Sequence, residues 1–222
     1  MKVVAFVPIK LNNERLPGKN IKRFDDGTPL IACILDTLLN VNGLDEIYVY
    51  CSNPGIEEYL PAGVKFLRRS PSLDQSSTKI NEVLSSFAKD VPADVYVLAH
   101  ATAPFVKAKS IEVGIEKVVS SKHDSAFTVL RLQEFMWKDG KPLNYQLDSV
   151  PRTQDLDPIH TETTGLYIYT SELINERNIR IGESPYLIEI SKIESTDVNE
   201  PIDFDIANAI YSKRLNSLEE NE

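Results

Sequence analysis

The sequence has 222 residues, of which 42% are hydrophobic and 26% charged, and its formal net charge is −9. This is the balance of an ordinary globular chain that is long enough to bury a sizeable core. Because an acidic surface repels polyanions, we expect neither nucleic acid nor a membrane surface among its partners.

The two cysteines, Cys33 and Cys51, lie in apolar segments and form no C-x-x-C pair. Such cysteines are typical of reduced packing residues. The first apolar run is too short for a signal peptide, and no run approaches the ~20 residues of a membrane helix. We therefore expect a cytoplasmic protein.

Apolar runs and helical periodicities alternate along the first 130 residues. The apolar runs predict strands over residues 3–9, 46–51, 64–67, 95–99 and 125–130. Apolar residues at helical spacing predict helices over residues 30–39, 78–87 and 110–119, the last with Ser110 as its N-cap. This β-α-β alternation predicts an α/β fold with a parallel, doubly wound sheet.

The pattern changes after Leu132. Residues 134–157 contain Gly, Pro, Asn and isolated aromatic residues without a helical period, so we interpret them as an excursion from the sheet, a flap or an oligomerisation arm. Further strands are predicted over residues 166–169 and 187–190, and a closing helix over residues 202–215. We expect residues 1–222 to form a single domain.

The loop after the first predicted strand is the most informative segment. It carries three cationic side chains, Lys10, Arg15 and Lys19, at the end of a buried strand. Ligands of open α/β sheets bind at that end of the strands. The loop is neither a Walker A motif nor a G-x-G-x-x-G fingerprint, so cationic side chains would have to hold a polyphosphate. The alternative is a solvated loop with scattered cations.

Polar side chains also follow the third and fourth predicted strands. Arg68 and Arg69 come after the third, and His100 and Thr102 come after the fourth. The arginines could contact phosphate, and the histidine could hydrogen-bond a base. Taken singly, the arginines are more typical of a surface pair and the histidine of a structural residue.

Two later segments have a polar or acidic character. Residues 152–155 and 160–165 contain hydrogen-bonding side chains that suit a polyhydroxylated ligand, or are ordinary loop residues. Residues 194–205 are acidic and could recruit magnesium to a triphosphate. Capping of the closing helix would explain Glu200 or Asp203, but it explains Asp197 less well.

In order and spacing, these five segments resemble the cytidylyltransferases that activate acidic sugars, the CMP-sialic acid (acylneuraminate) and CMP-Kdo synthetases. The resemblance covers essentially the whole chain. The family's opening pattern resembles A-R-G-G-S-K-G-x-x-x-K-N, which ends here in Lys19 and Asn20. Lys10 replaces the first arginine, Asn12 and Asn13 replace Gly-Ser, and residues 15–19 read R-L-P-G-K, as in the Kdo branch. Glu14 departs from a usually cationic position.

The later motifs of the family also have counterparts. Arg69 matches the arginine after the third strand, and His100 replaces the glutamine that reads cytosine in L-Q-P-T-S-P. The R-Q-D motif corresponds to Arg152, Gln154 and Asp155, and N-G-A-x-Y corresponds to residues 164–168. The magnesium-binding D-x-D aligns with Asp197 and Asn199, where Asp205 or a water could replace the second carboxylate.

The resemblance implies a three-layer α/β/α Rossmann-like fold of the nucleotide-diphospho-sugar transferase type, with a mostly parallel sheet. It also implies a homodimer in which residues 134–157 are the dimerisation arm. The implied activity is the coupling of CTP to an acidic 2-keto-3-deoxy sugar, which gives a CMP-sugar and pyrophosphate, with Mg²⁺ as cofactor.

The resemblance also implies a set of site residues. The catalytic residues would be Lys19, Lys10 and Arg69. The nucleotide would be bound by Lys10, Asn12, Asn13, Arg15, Lys19, Asn20, Arg69, His100 and Thr102. The sugar would be bound by Arg152, Gln154, Thr164 and Gly165, and the metal by Asp197, Asn199 and Asp205. Two alternatives stay open: a nucleotidyltransferase with another acceptor or base, and a non-catalytic nucleotide-binding relative.

Overall fold

The structure, a computed structural model, describes residues 1–219, with side chains as far as residue 214. Its strands are β1 (Val3–Ile9), β2 (Glu46–Cys51), β3 (Val64–Arg68), β4 (Val95–Ala99), β5 (Ser125–Leu132), β6 (Trp137–Lys138), β7 (Lys141–Pro142), β8 (Ile159–Thr170) and β9 (Pro185–Glu189). Its α-helices are α1 (Leu30–Leu39), α2 (Ile80–Asp90), α3 (Ala108–Val119), α4 (Ser171–Arg177) and α5 (Pro201–Glu219). Within this range, no helix has the length and hydropathy needed to cross a membrane.

Seven strands form the main sheet in the order β3-β2-β1-β4-β8-β5-β9. The pairs β1-β2, β1-β4, β2-β3 and β5-β9 are parallel, which confirms the predicted α/β fold with a mostly parallel sheet. The exception is β8, which runs antiparallel to β4 and β5. The crossover through α3 leaves a space between β4 and β5, and the chain fills it from the opposite direction. An apolar run does not reveal the direction of its strand.

Helices cover both faces of the sheet. Apolar residues of α1 and α3 pack in one cluster with one face of the strands. Residues of α2 and α4 pack in a second cluster with the other face. These clusters give the three α/β/α layers, because side chains alternate between the faces of each strand.

A third cluster joins the ends of the chain. Leu16, from the loop after β1, packs with Val198 and with Phe204 of α5. The same cluster includes Phe24, whose ring stacks on that of Phe204 with centroids 5.3 Å apart. The loop after β1 is thereby fixed against the segment that precedes α5.

Several boundaries differ from the sequence-based expectation. Helix α3 begins two residues before the predicted N-cap, Ser110, whose hydroxyl instead donates to Glu194 at 2.7 Å. Strand β8 begins at Ile159 rather than at residue 166, because its first half pairs with β5 beyond the end of β4. Helix α4 was not predicted.

The excursion at residues 134–157 contains a small hairpin formed by β6 and β7. The two residues between these strands, Asp139 and Gly140, have φ values of 51° and 74°. Two successive left-handed residues are typical of a type I′ turn, which favours Asp-Gly. The excursion is therefore an ordered projection from the sheet.

Candidate active site

A cavity of about 360 Å³ opens where β1 and β4 end, beside β8, which pairs with β4 on the side away from β1. Its lining from the loop after β1 comprises Lys10, Asn13, Arg15, Lys19 and Asn20. The opposite side is formed mainly by His100, Thr102, Thr164, Asp197 and Asn199. The structure thus gathers, at the carboxyl edge of the parallel strands, residues that are up to 189 positions apart.

The loop after β1 is held in shape by Asn20. This side chain is only 5% exposed, and its amide donates a hydrogen bond to the carbonyl oxygen of Lys10 at 2.9 Å. Asn20 therefore links the two ends of the loop, a structural role alongside its place in the cavity wall. Gly18, with a φ of 65°, adopts the left-handed conformation that starts the following short 3₁₀ helix.

Lys19 lies at the centre of the cavity's polar network. Its ammonium group donates to the carbonyl oxygen of Val198 at 3.0 Å and to Oδ1 of Asn199 at 3.3 Å. Burial lowers the pKa of Lys19, while the negative charge of Asp197 acts in the opposite direction. A partly desolvated cation of this kind interacts strongly with an anionic ligand, because little water screens it.

Asn199 connects the cations of the cavity to its carboxylate. Its Oδ1 accepts from Arg15 at 2.9 Å, while its Nδ2 donates to Oδ2 of Asp197 at 2.6 Å. The hydroxyl of Thr164 donates to the same Asp197 oxygen at 3.0 Å. The other oxygen of Asp197, Oδ1, is buried and has no hydrogen-bond partner among the described residues.

This arrangement fits a magnesium ion. A buried carboxylate oxygen without a partner is costly, and a bound cation would satisfy it. Mg²⁺ usually takes one or two protein carboxylates and completes its shell with water and substrate phosphate oxygens. Among the side chains that the structure describes, residues 1–214, no three or more His, Cys, Asp or Glu are placed to hold a metal together.

A second cavity, of about 280 Å³, lies on the outer side of the same loop. It shares Lys10, Arg15 and Lys19 with the first, and it adds Glu14 and Ser76 to the lining. The three cations therefore line both cavities.

His100 and Thr102 lie on the wall opposite the loop. Burial lowers the pKa of His100 to about 4, and the positive charges of Arg180 and Lys19 add to this effect. The ring is therefore neutral at physiological pH, with one donor and one acceptor nitrogen. The carbonyl of Thr102 accepts from the backbone N–H of Val198 at 2.8 Å, which fixes the segment that carries Asp197.

Gly165 allows β8 to approach the loop after β4. Its carbonyl accepts from the backbone N–H of His100 at 3.1 Å. A Cβ atom at position 165 would lie 2.8 Å from that of Ala103 and 3.2 Å from Cγ2 of Val106. The glycine thus shapes the site through close packing.

The structure does not bring Arg69 into the lining of either cavity. The side chain is buried, and its guanidinium donates to Oδ1 of Asp74 from Nη2 at 2.6 Å and from Nε at 3.2 Å. The other oxygen of Asp74 accepts from the hydroxyl of Ser52. Arg69 therefore braces the ends of β2 and β3, since its backbone N–H also donates to the carbonyl of Cys51.

Besides Arg69 and Gly165, four predicted site residues lie outside both cavities. Arg152 is exposed and forms a bidentate pair with Asp155, at 2.7 and 3.0 Å, and Gln154 is exposed beside it. Asn12 is exposed, and Asp205 lies on the exposed side of α5. Asp205 is therefore not placed beside Asp197 to replace the missing second carboxylate.

The capping alternative for the acidic segment is confirmed at Asp203. Its carboxylate accepts from the backbone N–H groups of Asn199 and Glu200, at 2.9 and 2.8 Å, at the start of α5. Sequence reasoning passed over Glu194, which is 5% exposed and accepts from the N–H of Lys107 and the hydroxyl of Ser110. It fixes the start of α3 to the segment that leads to Asp197. An acidic residue between polar neighbours gives no sequence signal for such a distant contact.

Comparisons with known proteins are consistent with this geometry. A family model described as cytidylyltransferase matches residues 4–180. An N-acylneuraminate cytidylyltransferase from Oncorhynchus mykiss is 29% identical over 216 residues, which cover 92% of this chain and 49% of that protein. A CMP-N,N'-diacetyllegionaminic acid synthase from Legionella pneumophila is 28% identical, with 92% and 94% covered. The chain spans about half the length of the fish relatives it matches.

Solved structures share the fold at low sequence identity. A CMP:2-keto-3-deoxy-manno-octonic acid synthetase complexed with CTP has a TM-score of 0.70 and 14% identity, and the match covers 96% of this chain and all of that one. A 4-diphosphocytidyl-2C-methyl-D-erythritol synthase from Anaerococcus prevotii has a TM-score of 0.65 and 14% identity, with 95% and 96% covered. The predicted nucleotide-diphospho-sugar transferase fold is thereby confirmed.

Proposed function

Because the chain belongs to the cytidylyltransferase family, we propose that it couples CTP to an acidic 2-keto-3-deoxy sugar, giving a CMP-sugar and pyrophosphate. The named relatives that act on acylneuraminic and legionaminic acids support this substrate class. The observation that carries the proposal is the grouping of Lys10, Arg15 and Lys19 with Asp197 in the lining of one cavity.

The proposed reaction needs little covalent participation by the protein. The anomeric hydroxyl of the sugar attacks the α-phosphorus of CTP, its proton is lost, and the bond to the oxygen that bridges the α- and β-phosphates breaks. Positioning and neutralisation of charge then supply most of the acceleration. In this proposal Lys10, Arg15 and Lys19 bind the phosphates, and the hydrogen bond of Lys19 to the carbonyl oxygen of Val198 orients its ammonium group.

We propose Mg²⁺ as the cofactor, held by Asp197 with Asn199 beside it. When bound, the ion would neutralise phosphate charge and orient the oxygens that it contacts. The unpartnered Oδ1 of Asp197 supports this assignment. Asn199 is oriented by Arg15 and Lys19, so it positions Asp197 through its amide group.

A second candidate is a nucleotidyltransferase that uses another base. The neutral ring of His100 supports this candidate, because a histidine can present a donor or an acceptor to the base according to its tautomer. Thermal-shift measurements with CTP, UTP, GTP and ATP test this candidate, since at equal concentration a nucleotide that binds more tightly stabilises the folded protein more. Stabilisation by CTP alone would remove the other-base version.

We also propose that the protein is a homodimer in which residues 134–157 contact the partner. Five large apolar side chains of this segment are 41% to 65% exposed: Phe135, Trp137, Leu143, Leu147 and Val150. Clustered exposed apolar side chains are typical of protein interfaces. The free thiols Cys33 and Cys51 support a reducing, cytoplasmic environment.

The activity is tested by adding CTP, Mg²⁺ and a panel of acidic keto-sugars to the protein and measuring pyrophosphate. The panel includes sialic, legionaminic, pseudaminic and Kdo-type acids, because one sequence does not rank them. Absence of release with every acceptor at micromolar protein would contradict the proposal. Tight binding of CTP without turnover would instead support the non-catalytic alternative.

A further inference from the structure

The guanidinium of Arg180 packs on an aromatic ring of β8, the strand that also carries the cavity residue Thr164. Arg180 follows α4, and its guanidinium carbon is 3.7 Å from the centroid of the Tyr167 ring. This short distance is typical of a guanidinium stacked on an aromatic face. The side chain is 21% exposed, so it is held in place without being sealed from solvent.

The donors of this guanidinium are unused. Nη2 of Arg180 lies 3.7 Å from Oε1 of Glu162, which is an ion-pair distance but too long for a hydrogen bond. That same carboxylate accepts a hydrogen bond from the hydroxyl of Tyr167. Across residues 1–219, no acceptor forms a hydrogen bond with the Arg180 side chain. An arginine carries five N–H donors in a planar fork, which matches a carboxylate.

The position of Tyr167 places this guanidinium at the His100 side of the cavity. Tyr167 pairs in register with Leu98 of β4, and both belong to the apolar cluster on the α2–α4 face. Alternation along β4 directs His100, two residues later, to that same face. Thr164, which lines the cavity, lies three residues before Tyr167. The contribution of Arg180 to the lowered pKa of His100 agrees with this proximity.

Arg152, the arginine implied by the family resemblance for sugar binding, is placed differently. Its fork is already occupied by both oxygens of Asp155, and 72% of its side chain is exposed. It does not line the cavity. An acidic acceptor beside His100 would therefore meet Arg180 rather than Arg152.

We propose that Arg180 binds the carboxylate of the acidic sugar acceptor. The inference rests on the proposed function, and it names the group that distinguishes acidic from neutral acceptors. Stacking on Tyr167 orders the guanidinium before the ligand arrives, so less conformational entropy is lost on binding. The carboxylate of the ligand would take the N–H groups that Glu162 leaves free.

The test compares Arg180→Gln with the unaltered enzyme in steady-state kinetics. The acceptors are the best acid of the panel and its methyl ester, which lacks the negative charge. Loss of a charge-assisted hydrogen-bonded pair is expected to raise KM for the acid about 10- to 100-fold. KM for CTP should stay within about twofold, and KM for the ester should be nearly the same in both proteins. Arg180→Lys should give an intermediate KM for the acid, because it keeps the charge and loses the fork.

Two further variants sharpen the test. Glu162→Gln keeps a hydrogen-bond acceptor for Tyr167 but removes the competing charge, so KM for the acid should fall roughly two- to fivefold. Arg177→Gln is the matched control, because Arg177 is an exposed arginine of α4 whose partner, Glu183, lies 2.9 Å away at the surface. Both KM values should be unchanged in this control.

Different experimental results would contradict the role of Arg180 and the proposed function of the protein. Turnover with an unchanged KM for the acid in Arg180→Gln would overturn the assignment of Arg180 alone. A rise in KM for CTP instead would assign the residue to phosphate and would also overturn it. An enzyme without pyrophosphate release from any acid would overturn both proposals. Retention of the CTP-induced thermal shift shows that each variant is folded.

Discussion

The ammonium group of Lys19 donates a hydrogen bond to the carbonyl oxygen of Val198 at 3.0 Å. This contact joins the loop after β1 to the segment before α5, across 179 positions of the chain. Val198 is fully buried, and its own N–H donates to the carbonyl of Thr102. The cation is therefore oriented by a segment that is itself fixed to the loop after β4.

Replacement of Lys19 by Met should abolish most of the activity. Loss of a preorganised cation at the transferring phosphates typically costs about 10²- to 10³-fold in kcat. Steady-state pyrophosphate release measures this loss, and Lys109→Met, at an exposed position of α3, is the control. A Lys19→Met enzyme with normal kcat would contradict the proposed role.

The pH dependence of activity also reports on Lys19. Since burial lowers its pKa, the ammonium form is lost at a lower pH than in an ordinary lysine. Activity should therefore decline on the alkaline side before the pH at which exposed lysines titrate, while Lys19→Arg should shift that decline upward. Profiles of kcat/KM for CTP between pH 7 and 10 measure the effect.

Asp197 and Asn199 should have opposite effects on magnesium affinity. Asp197→Asn removes the only carboxylate that we assign to the ion, so the half-saturating Mg²⁺ concentration should rise at least about tenfold. Asn199→Asp adds a second carboxylate and should lower it several-fold. Mn²⁺ binding followed by electron paramagnetic resonance, with CTP present, gives a readout independent of turnover. Unchanged affinity in Asp197→Asn would exclude the assigned site.

His100 should make folding stability depend on pH. Its pKa is about 4 in the folded protein and about 6.5 when unfolded, so the unfolded state binds the extra proton first as pH falls. The stability contribution is complete above pH 6.5 and is lost progressively toward pH 4, by up to about 3 kcal/mol. Denaturant unfolding at several pH values, compared with His100→Gln, isolates this contribution. Parallel pH dependences in both proteins would show that His100 is not the group responsible.

Gly165→Ala should destabilise the protein and disturb the site. The added methyl group would lie 2.8 Å from the Cβ of Ala103, so β8 and the loop after β4 must separate. Overpacking of this kind costs about 1–3 kcal/mol. The double variant with Ala103→Gly should recover part of the loss, which thermal unfolding can measure. Absence of recovery would place the strain elsewhere.

The proposed dimer should depend on the apolar side chains of residues 134–157. Trp137 and Leu147 are 55% and 65% exposed, and Trp137→Glu with Leu147→Glu would place two charges in the proposed interface. The unaltered protein should have the mass of a dimer in light scattering at micromolar concentration, and the double variant that of a monomer. A monomeric unaltered protein would contradict the proposal.

The sequence allowed accurate prediction where the signal is local. Continuous apolar runs identified β1, β2 and β4 at their observed bounds, because strands buried on both faces need apolar residues throughout. Helix α1 was also predicted at its exact ends. The predicted boundaries were wrong where distant contacts decide them. Helix α3 begins at Ala108 because Glu194 accepts from the N–H of Lys107 and the hydroxyl of Ser110 at its start.

The candidate site was predictable in part for the same reason. Lys10, Arg15 and Lys19 follow a recognisable strand, and a polar loop at that position lines the carboxyl edge of the sheet. Arg69 also follows a strand, but its side chain turns to Asp74, a partner that strand position does not reveal. Arg180 follows a short helix that the sequence did not indicate, so nothing marked it as close to His100.

The sequence by itself determined the α/β alternation, the cationic loop after β1 and the membership of the cytidylyltransferase family. Each of these can be recognised from local sequence patterns and from their order along the chain. Only the tertiary structure decided the direction of β8, the withdrawal of Arg69 and Arg152 into ion pairs, and the place of Arg180 on Tyr167. Those features depend on contacts between segments that are far apart in the chain. Packing and hydrogen bonding in the folded protein decide those contacts.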